Sequence, residues 1–189
     1  SHLIRLAHDT QRCPGVLDAL VGAAEETTSG LRPLRSFDLR IPVMASNDAR
    51  SKTLFDNAYG TGQSCWTTIL DLIDPRGVGA PVAGMSVVVI GYGDVGRGCA
   101  RFGAALGARV TVVELDPVRA LQASMDGFAV ASLEEAAASA GMLISATGER
   151  ATIPLSALEA APDGAIVTVA GGVDGEVSID EAVAASWIM

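Results

Sequence analysis

The stretch VVVIGYGDVGRG, residues 87–98, places three glycines at the spacing G-x-G-x-x-G directly behind an apolar run. That order predicts a buried strand, a tight turn and the start of a helix. In such a setting Gly91 permits the turn, Gly93 lets an anion approach the main chain, and Gly96 lets the helix pack closely on the strand. With Asp94 and Val95, the helix N-terminus would present oriented N–H donors to a pyrophosphate. Glu114 closes the next β-branched run, roughly twenty residues on, where a carboxylate can accept hydrogen bonds from both hydroxyls of an adenosine ribose and repel a 2′-phosphate. NAD is therefore favoured over NADP, with Arg119 as a nearby guanidinium that softens the repulsion. Asp116, beside Pro117, is expected to cap the following helix.

The rest of the second half repeats the pattern. Strands are expected at 86–90, 110–113, 128–130, 142–146 and 165–170, separated by helices at 94–106, 117–125, 132–140 and 153–161. Strands alternating with short helices predict an α/β fold, a Rossmann-type doubly wound parallel sheet with helices on both faces. The front of the chain reads differently. Residues 1–47 combine a short helical pattern (Leu3, Ile4, Leu6), a break at Cys13, Pro14 and Gly15, and the polar run EETTSG, and they do not amount to a self-sufficient core. A helix is expected from Asp48, with that aspartate at the N-cap and apolar residues at Leu54, Tyr59, Trp66, Ile69, Leu70 and Ile73; Gly60 and Gly62 weaken its middle. Residues 74–84 read as a connector.

Composition narrows the function classes. The net charge is -9, and no run of Lys or Arg offers a groove to a phosphate backbone, so nucleic acid is not an expected partner. Cys13, Cys65 and Cys99 are odd in number and widely spaced, which suggests neither a disulfide framework nor a metal site and fits a reducing, cytoplasmic compartment. No run of about eighteen apolar residues suggests a membrane span. The first residue is Ser rather than Met, and the sequence is expected to be part of a longer protein.

Five segments go beyond a generic dinucleotide fold: EETTSG (25–30), NDARSKTLFDNAYGTGQS (47–64), GYGDVGRGCA (91–100), VELDPVRALQASMDGF (113–128) and DGAIVTVAGGVDGEVSID (163–180). Together, in this order, they resemble the S-adenosylhomocysteine hydrolase family over essentially the whole chain. SKTLFDNAYG is the most specific of them, having no role in the generic fold. The resemblance implies an NAD-binding domain at 85–189, preceded by the end of a substrate domain and hinge at 1–47 and a hinge helix and connector at 48–84. It implies NAD as a resident cofactor, an adenosine-type nucleoside as substrate, and a homo-oligomer, a tetramer in the family. The reaction implied is transient oxidation of the ribose 3′-hydroxyl, elimination of homocysteine and reduction of the ketone. By position, Lys52 and Asp56 match the pair that handles the 3′-hydroxyl, Glu26 a ribose-binding glutamate, and Asn57 a neighbour of the nicotinamide. Thr27, Thr28 and Ser29 match the cofactor-contacting hydroxyls, Thr147 a threonine after the fourth strand, and Gly171 a glycine of the loop after the fifth.

Departures from the family pattern keep other readings open. Gly172 stands where the family carries a histidine, Val169 where it carries an asparagine, Thr61 for a cysteine, Arg97 for a lysine and Arg119 for an asparagine. A different leaving group, as in a nucleoside dehydratase, a silent NAD- or adenosine-binding regulatory module, and an ordinary dehydrogenase with exchangeable NAD are the alternatives. Without the resemblance, Lys52 and Asp56 would read as an exposed i, i+4 ion pair, Glu25 and Glu26 as a solvated loop, and Thr27 to Ser29 as a helix cap. Cys99 would read as a packing residue, Cys65 as part of a helix face with Trp66, and His2 and His8 as solvated terminal residues.

Overall fold

The structure, a computed structural model, describes residues 2–79 and 81–185. It divides into two compact units, Ser1–Thr53 and Leu54–Met189.

The first unit holds α1 (His2–Ala7), a 3-10 turn at Leu17–Ala19, β1 (Ala23–Glu25), α2 (Thr28–Arg35), β2 (Val43–Ala45), a second 3-10 turn at Ser46–Asp48 and α3 (Arg50–Lys52). β1 and β2 form a two-stranded parallel ladder. Its buried apolar residues are small in number, among them Ala7, Leu17, Leu31 and Leu34. Thr27 caps α2, its side chain accepting from the Gly30 N–H at 3.0 Å. His8 is not the solvated terminal residue expected. It accepts from the Arg40 N–H at Nε2 (3.0 Å), so Nδ1 carries the proton and donates to the Ile4 carbonyl (2.7 Å), and Phe37 stacks edge-on against the ring. The N-cap expected at Asp48 is also absent. Residues Ser46–Asp48 form a 3-10 turn instead, Ala49 holds the N-cap position without a side-chain bond, and Asp48 accepts from Arg35 and Asn47, both at 3.2 Å. The turn is closed by its own backbone, the Ala49 N–H donating to the Ser46 carbonyl at 3.2 Å.

The second unit opens within a π-helical stretch, Thr53–Thr61, in place of the regular helix expected, followed by α4 (Gly62–Ile73). Then come β3 (Ser86–Ile90), α5 (Asp94–Ala105), β4 (Arg109–Val113), α6 (Pro117–Met125), β5 (Ala129–Val130), α7 (Leu133–Ala137), β6 (Met142–Ser145), α8 (Leu155–Ala160), β7 (Ile166–Val169) and α9 (Ile179–Ala184). The strands form one parallel sheet in the order β5-β4-β3-β6-β7. Strand order reverses between β3 and β6, which opens a crevice at the carboxyl ends of those two strands. Pro117 at the first turn and the Asp116 carboxylate, accepting from Val118 N–H at 2.8 Å, start α6 where expected, and a Ser132–Glu135 capping box starts α7.

Both sheet faces are covered, and the strands show it residue by residue. Val87, Val89, Val112, Met142 and Ile144 pack on one side with Trp66, Ile69, Cys99 and Ala100. Val88, Ile90, Val113 and Leu143 pack on the other with Ala136, Ala137 and Ala157. Each large branched side chain so buried contributes on the order of 1.5–3 kcal/mol. The same two-sided burial explains why these strands read as continuous apolar runs rather than as alternating ones. α4 is joined to α5 by the Trp66 indole N–H, which donates to the Cys99 carbonyl at 2.8 Å.

Candidate cofactor site

The glycine-rich turn sits at the mouth of the crevice and is built from below. Gly91 has φ +94° and donates its N–H to the Val113 carbonyl at 2.8 Å. A Cβ on Gly96 would fall on the Gly91 carbonyl oxygen, so the start of α5 can lie this close to the strand only with glycine there. Gly93, at the N-cap position of the twelve-residue α5, has no such neighbour: the nearest atom to a Cβ there is Arg119 Nη1, 3.9 Å away. Two glycines are thus required by the protein itself, while Gly93 keeps free the space a phosphate would take.

Tyr92, between the first two glycines, is fully buried. Its hydroxyl donates to Asp126 at 2.8 Å, and the Arg97 guanidinium lies 5.9 Å from the ring centre. Burial, with the Asp126 carboxylate beside it, pushes the Tyr92 hydroxyl well above the ordinary tyrosine range. Glu114, at the end of β4, accepts the Tyr92 N–H with Oε2 (2.7 Å) and the Leu115 and Asp116 N–H groups with Oε1 (2.7 and 2.9 Å). Three backbone donors orient the carboxylate, and Oε2, with a single bond, keeps acceptor capacity for a ribose hydroxyl. Arg119 is exposed on α6, with Nε 3.9 Å from the Asp116 carboxylate.

On the other side of the crevice, Thr147 follows β6. Its methyl group would lie 2.9 Å from a Cβ on Gly91. Its hydroxyl lies 2.6 Å from the Thr152 hydroxyl and 3.5 Å from Glu176 Oε2, and accepts the Glu149 N–H at 3.0 Å. Glu176 was not anticipated. It is 1% exposed, its Oε2 accepts from the Ser145 hydroxyl at the end of β6, and its Oε1 has no hydrogen-bond partner. A Cβ on Gly171 would fall on that carboxylate. The one sequence signal for this contact is the bare glycine pair at 171–172 facing a carboxylate a few positions later.

The remaining candidates lie elsewhere in the chain. In the first unit, Glu25 rather than Glu26 is buried, its carboxylate accepting from the Thr27 N–H and hydroxyl at 3.2 and 2.9 Å, while Glu26, Thr27 and Thr28 are exposed and Ser29 half-buried. Lys52 Nζ donates to Asn47 Oδ1 at 3.3 Å, and the Thr28 hydroxyl lies 3.5 Å from the same oxygen. Asn47, buried between them, carried no role in the sequence reading. In the second unit, Asn57 is buried in the π-helical stretch and Asp56 is exposed. The neighbouring Cys99 thiol holds the Cys65 thiol down to about 7 against the opposing effect of burial, while Cys65 and burial push Cys99 up. Among the described residues no cluster of three or more His, Cys, Asp or Glu side chains could hold a metal ion, and no helix is long and apolar enough to cross a membrane.

Residues 57–187 match the model of the S-adenosyl-L-homocysteine hydrolase, NAD binding domain. The chain belongs to that family. It is 45% identical over 179 residues to an adenosylhomocysteinase of Pyrococcus abyssi, a match that covers 93% of this chain and 41% of the relative. It is 43% identical over 169 residues to an S-inosyl-L-homocysteine hydrolase of Methanothermobacter thermautotrophicus, covering 87% of this chain and 40% of that protein. The chain therefore spans about two-fifths of the length of these curated relatives. Among solved structures, a dipicolinate synthase chain from Bacillus halodurans has the same fold, with TM-score 0.65 at 19% identity over 88% of this chain and 56% of that one. The cofactor of this S-adenosylhomocysteine hydrolase family domain is NAD. The open position at Gly93 and the oriented Glu114 carboxylate fit its pyrophosphate and adenosine ribose.

Proposed function

We propose that this chain supplies the cofactor domain of an enzyme that acts on a homocysteine-linked purine nucleoside by transient oxidation at the ribose 3′ carbon. When bound, NAD supplies a two-electron acceptor for that carbon and returns the electrons at the end of the cycle. The observation that most directly supports the chemistry is Lys52, whose Nζ is directed by the buried amide of Asn47. A lysine held this way is oriented before substrate arrives, and as the C3′–H bond gives up its electron pair, the hydroxyl proton passes to the Lys52 side chain acting as a neutral amine. The ketone so formed acidifies the neighbouring C4′–H, loss of that proton expels the homocysteine thiolate from C5′, water adds, and the ketone is reduced. In this reading Asp56 works with Lys52 at the 3′-hydroxyl and Glu26 binds the substrate ribose. Asn57, Thr147 and Gly171 serve the nicotinamide half, and Thr27, Thr28 and Ser29 contact the cofactor. Residues 1–47 are the end of the substrate domain and hinge, and the complete enzyme is a homo-oligomer.

A second reading rests on Gly172, which is exposed in the loop after β7 and offers no proton-handling group where the family carries a histidine. It supports a nucleoside dehydratase with another leaving group, or a silent NAD- or adenosine-binding module. One experiment separates the readings. The full protein is loaded with NAD and mixed, in single turnover, with S-adenosylhomocysteine or S-inosylhomocysteine, while reduced-nicotinamide absorbance and free thiol are followed together. A transient band with thiol release supports the hydrolase. A band without thiol supports another leaving group, and bound NAD with no band from either substrate overturns the oxidation chemistry.

A further inference from the structure

Glu176 is a costly way to fill space. Its carboxylate is withdrawn from water, one oxygen has no donor, and its presence leaves no room for a side chain at position 171. An apolar residue would fill the same volume without an unmatched acceptor, so the reason for a carboxylate lies in what it grips. Its Oε2 takes the Ser145 hydroxyl and lies 3.5 Å from the hydroxyl of Thr147, whose methyl packs toward Gly91. Its Oε1 end bears on Gly171, in the loop that follows β7. Ser145 is paired in register with Ile90 of β3 on one side and Val169 of β7 on the other. One side chain thus joins the ends of β6 and β7 to the phosphate turn. Glu114 marks the β3–β4 side of the crevice as the adenosine half, which leaves the β6–β7 side for the second nucleotide.

We propose that Glu176 is a positioning residue for the nicotinamide half of the cofactor site: it fixes Thr147 and the loop at Gly171 in one geometry. The proposal rests on the NAD reading above and predicts a selective effect. ADP-ribose fills the adenosine and pyrophosphate positions but carries no nicotinamide, so it reports the other half of the site alone.

Affinities for NAD and ADP-ribose are measured by titration calorimetry on the wild type and on the Glu176→Ala, Glu176→Gln and Ser145→Ala variants. Glu176→Ala should lose about tenfold or more in NAD affinity, with ADP-ribose within about threefold of wild type. Glu176→Gln, which keeps the volume and an acceptor oxygen, should restore most of the NAD affinity. Ser145→Ala should show a smaller loss, again confined to NAD, and decides the matter together with Glu176→Gln if the alanine variant does not fold. Equal losses for both ligands, unchanged NAD affinity in a folded variant, or failure of glutamine to restore binding would each overturn the proposal. A wild type that binds neither ligand would instead overturn the NAD reading.

Discussion

Gly62 of α4 and Gly98 of α5 meet backbone to backbone: a Cβ on Gly62 would lie 2.7 Å from the Gly98 carbonyl carbon. Neither atom is the end of a flexible side chain, so relief requires the helices to part. Replacing Gly62 with Ala is expected to destabilise the second unit by about 1–3 kcal/mol through overpacking, despite alanine's better helix propensity. The shift in urea midpoint at constant slope measures it; a midpoint equal to or above wild type would show that the helices separate freely.

Gly93 and Gly96 should respond in opposite ways. Gly93→Val has room within the protein and should leave the unfolding free energy within about 1 kcal/mol of wild type while abolishing detectable NAD binding, because its side chain enters the position proposed for the phosphate. Gly96→Ala would press on the Gly91 carbonyl and should compromise folding itself. Normal NAD affinity in a folded Gly93→Val protein would move the pyrophosphate elsewhere.

Glu114→Ala removes the carboxylate proposed to take the adenosine ribose and also leaves the Tyr92, Leu115 and Asp116 N–H groups without their partner. Loss of charge-assisted bonds predicts NAD affinity reduced by on the order of 1–3 kcal/mol, roughly fivefold to 150-fold. Calorimetric titration reads the change, and an unaltered Kd would place the ribose at another residue.

Cys65 is expected to react as a thiolate near neutral pH. Its folded value of about 7 lies below the ordinary thiol range, so the thiolate form grows in as pH rises through 7 and is lost below it. The rate of iodoacetamide labelling at Cys65, located by mass spectrometry, should therefore climb between pH 6 and about 8. Replacing Cys99 with Ala removes the neighbouring thiol and should move that rise to higher pH. An unchanged profile would separate the two sulfurs functionally.

The second unit was legible wherever one physical cause dominated a segment. β-branched runs bounded by glycine gave β3 and β4 close to their observed limits, and Asp116 with Pro117 gave the start of α6. Later elements were shorter than expected, as with α7, where 132–140 shrank to Leu133–Ala137. The π-helical stretch left no periodic trace, because its departure is in backbone hydrogen bonding rather than in residue choice. Gly62, read as a weak point in a helix, is there for the approach of another backbone. His8 and Asn47 were undervalued because their partners Arg40 and Thr28 reach them only through the fold. Glu176 was hidden for the same reason: beyond the bare glycine pair at 171–172, nothing local distinguishes a buried loop carboxylate from a solvated one.

Tyr92 gives the phosphate turn a property that its glycines alone would not. A segment so rich in glycine has many accessible backbone states, and a loop that must be ordered by its ligand gives up that freedom at the moment of binding. Here the residue between the glycines is locked into the core by its ring, by Asp126 and by the Glu114 carboxylate on its own N–H. The entropy loss falls on folding rather than on association, and the turn meets the cofactor already in shape.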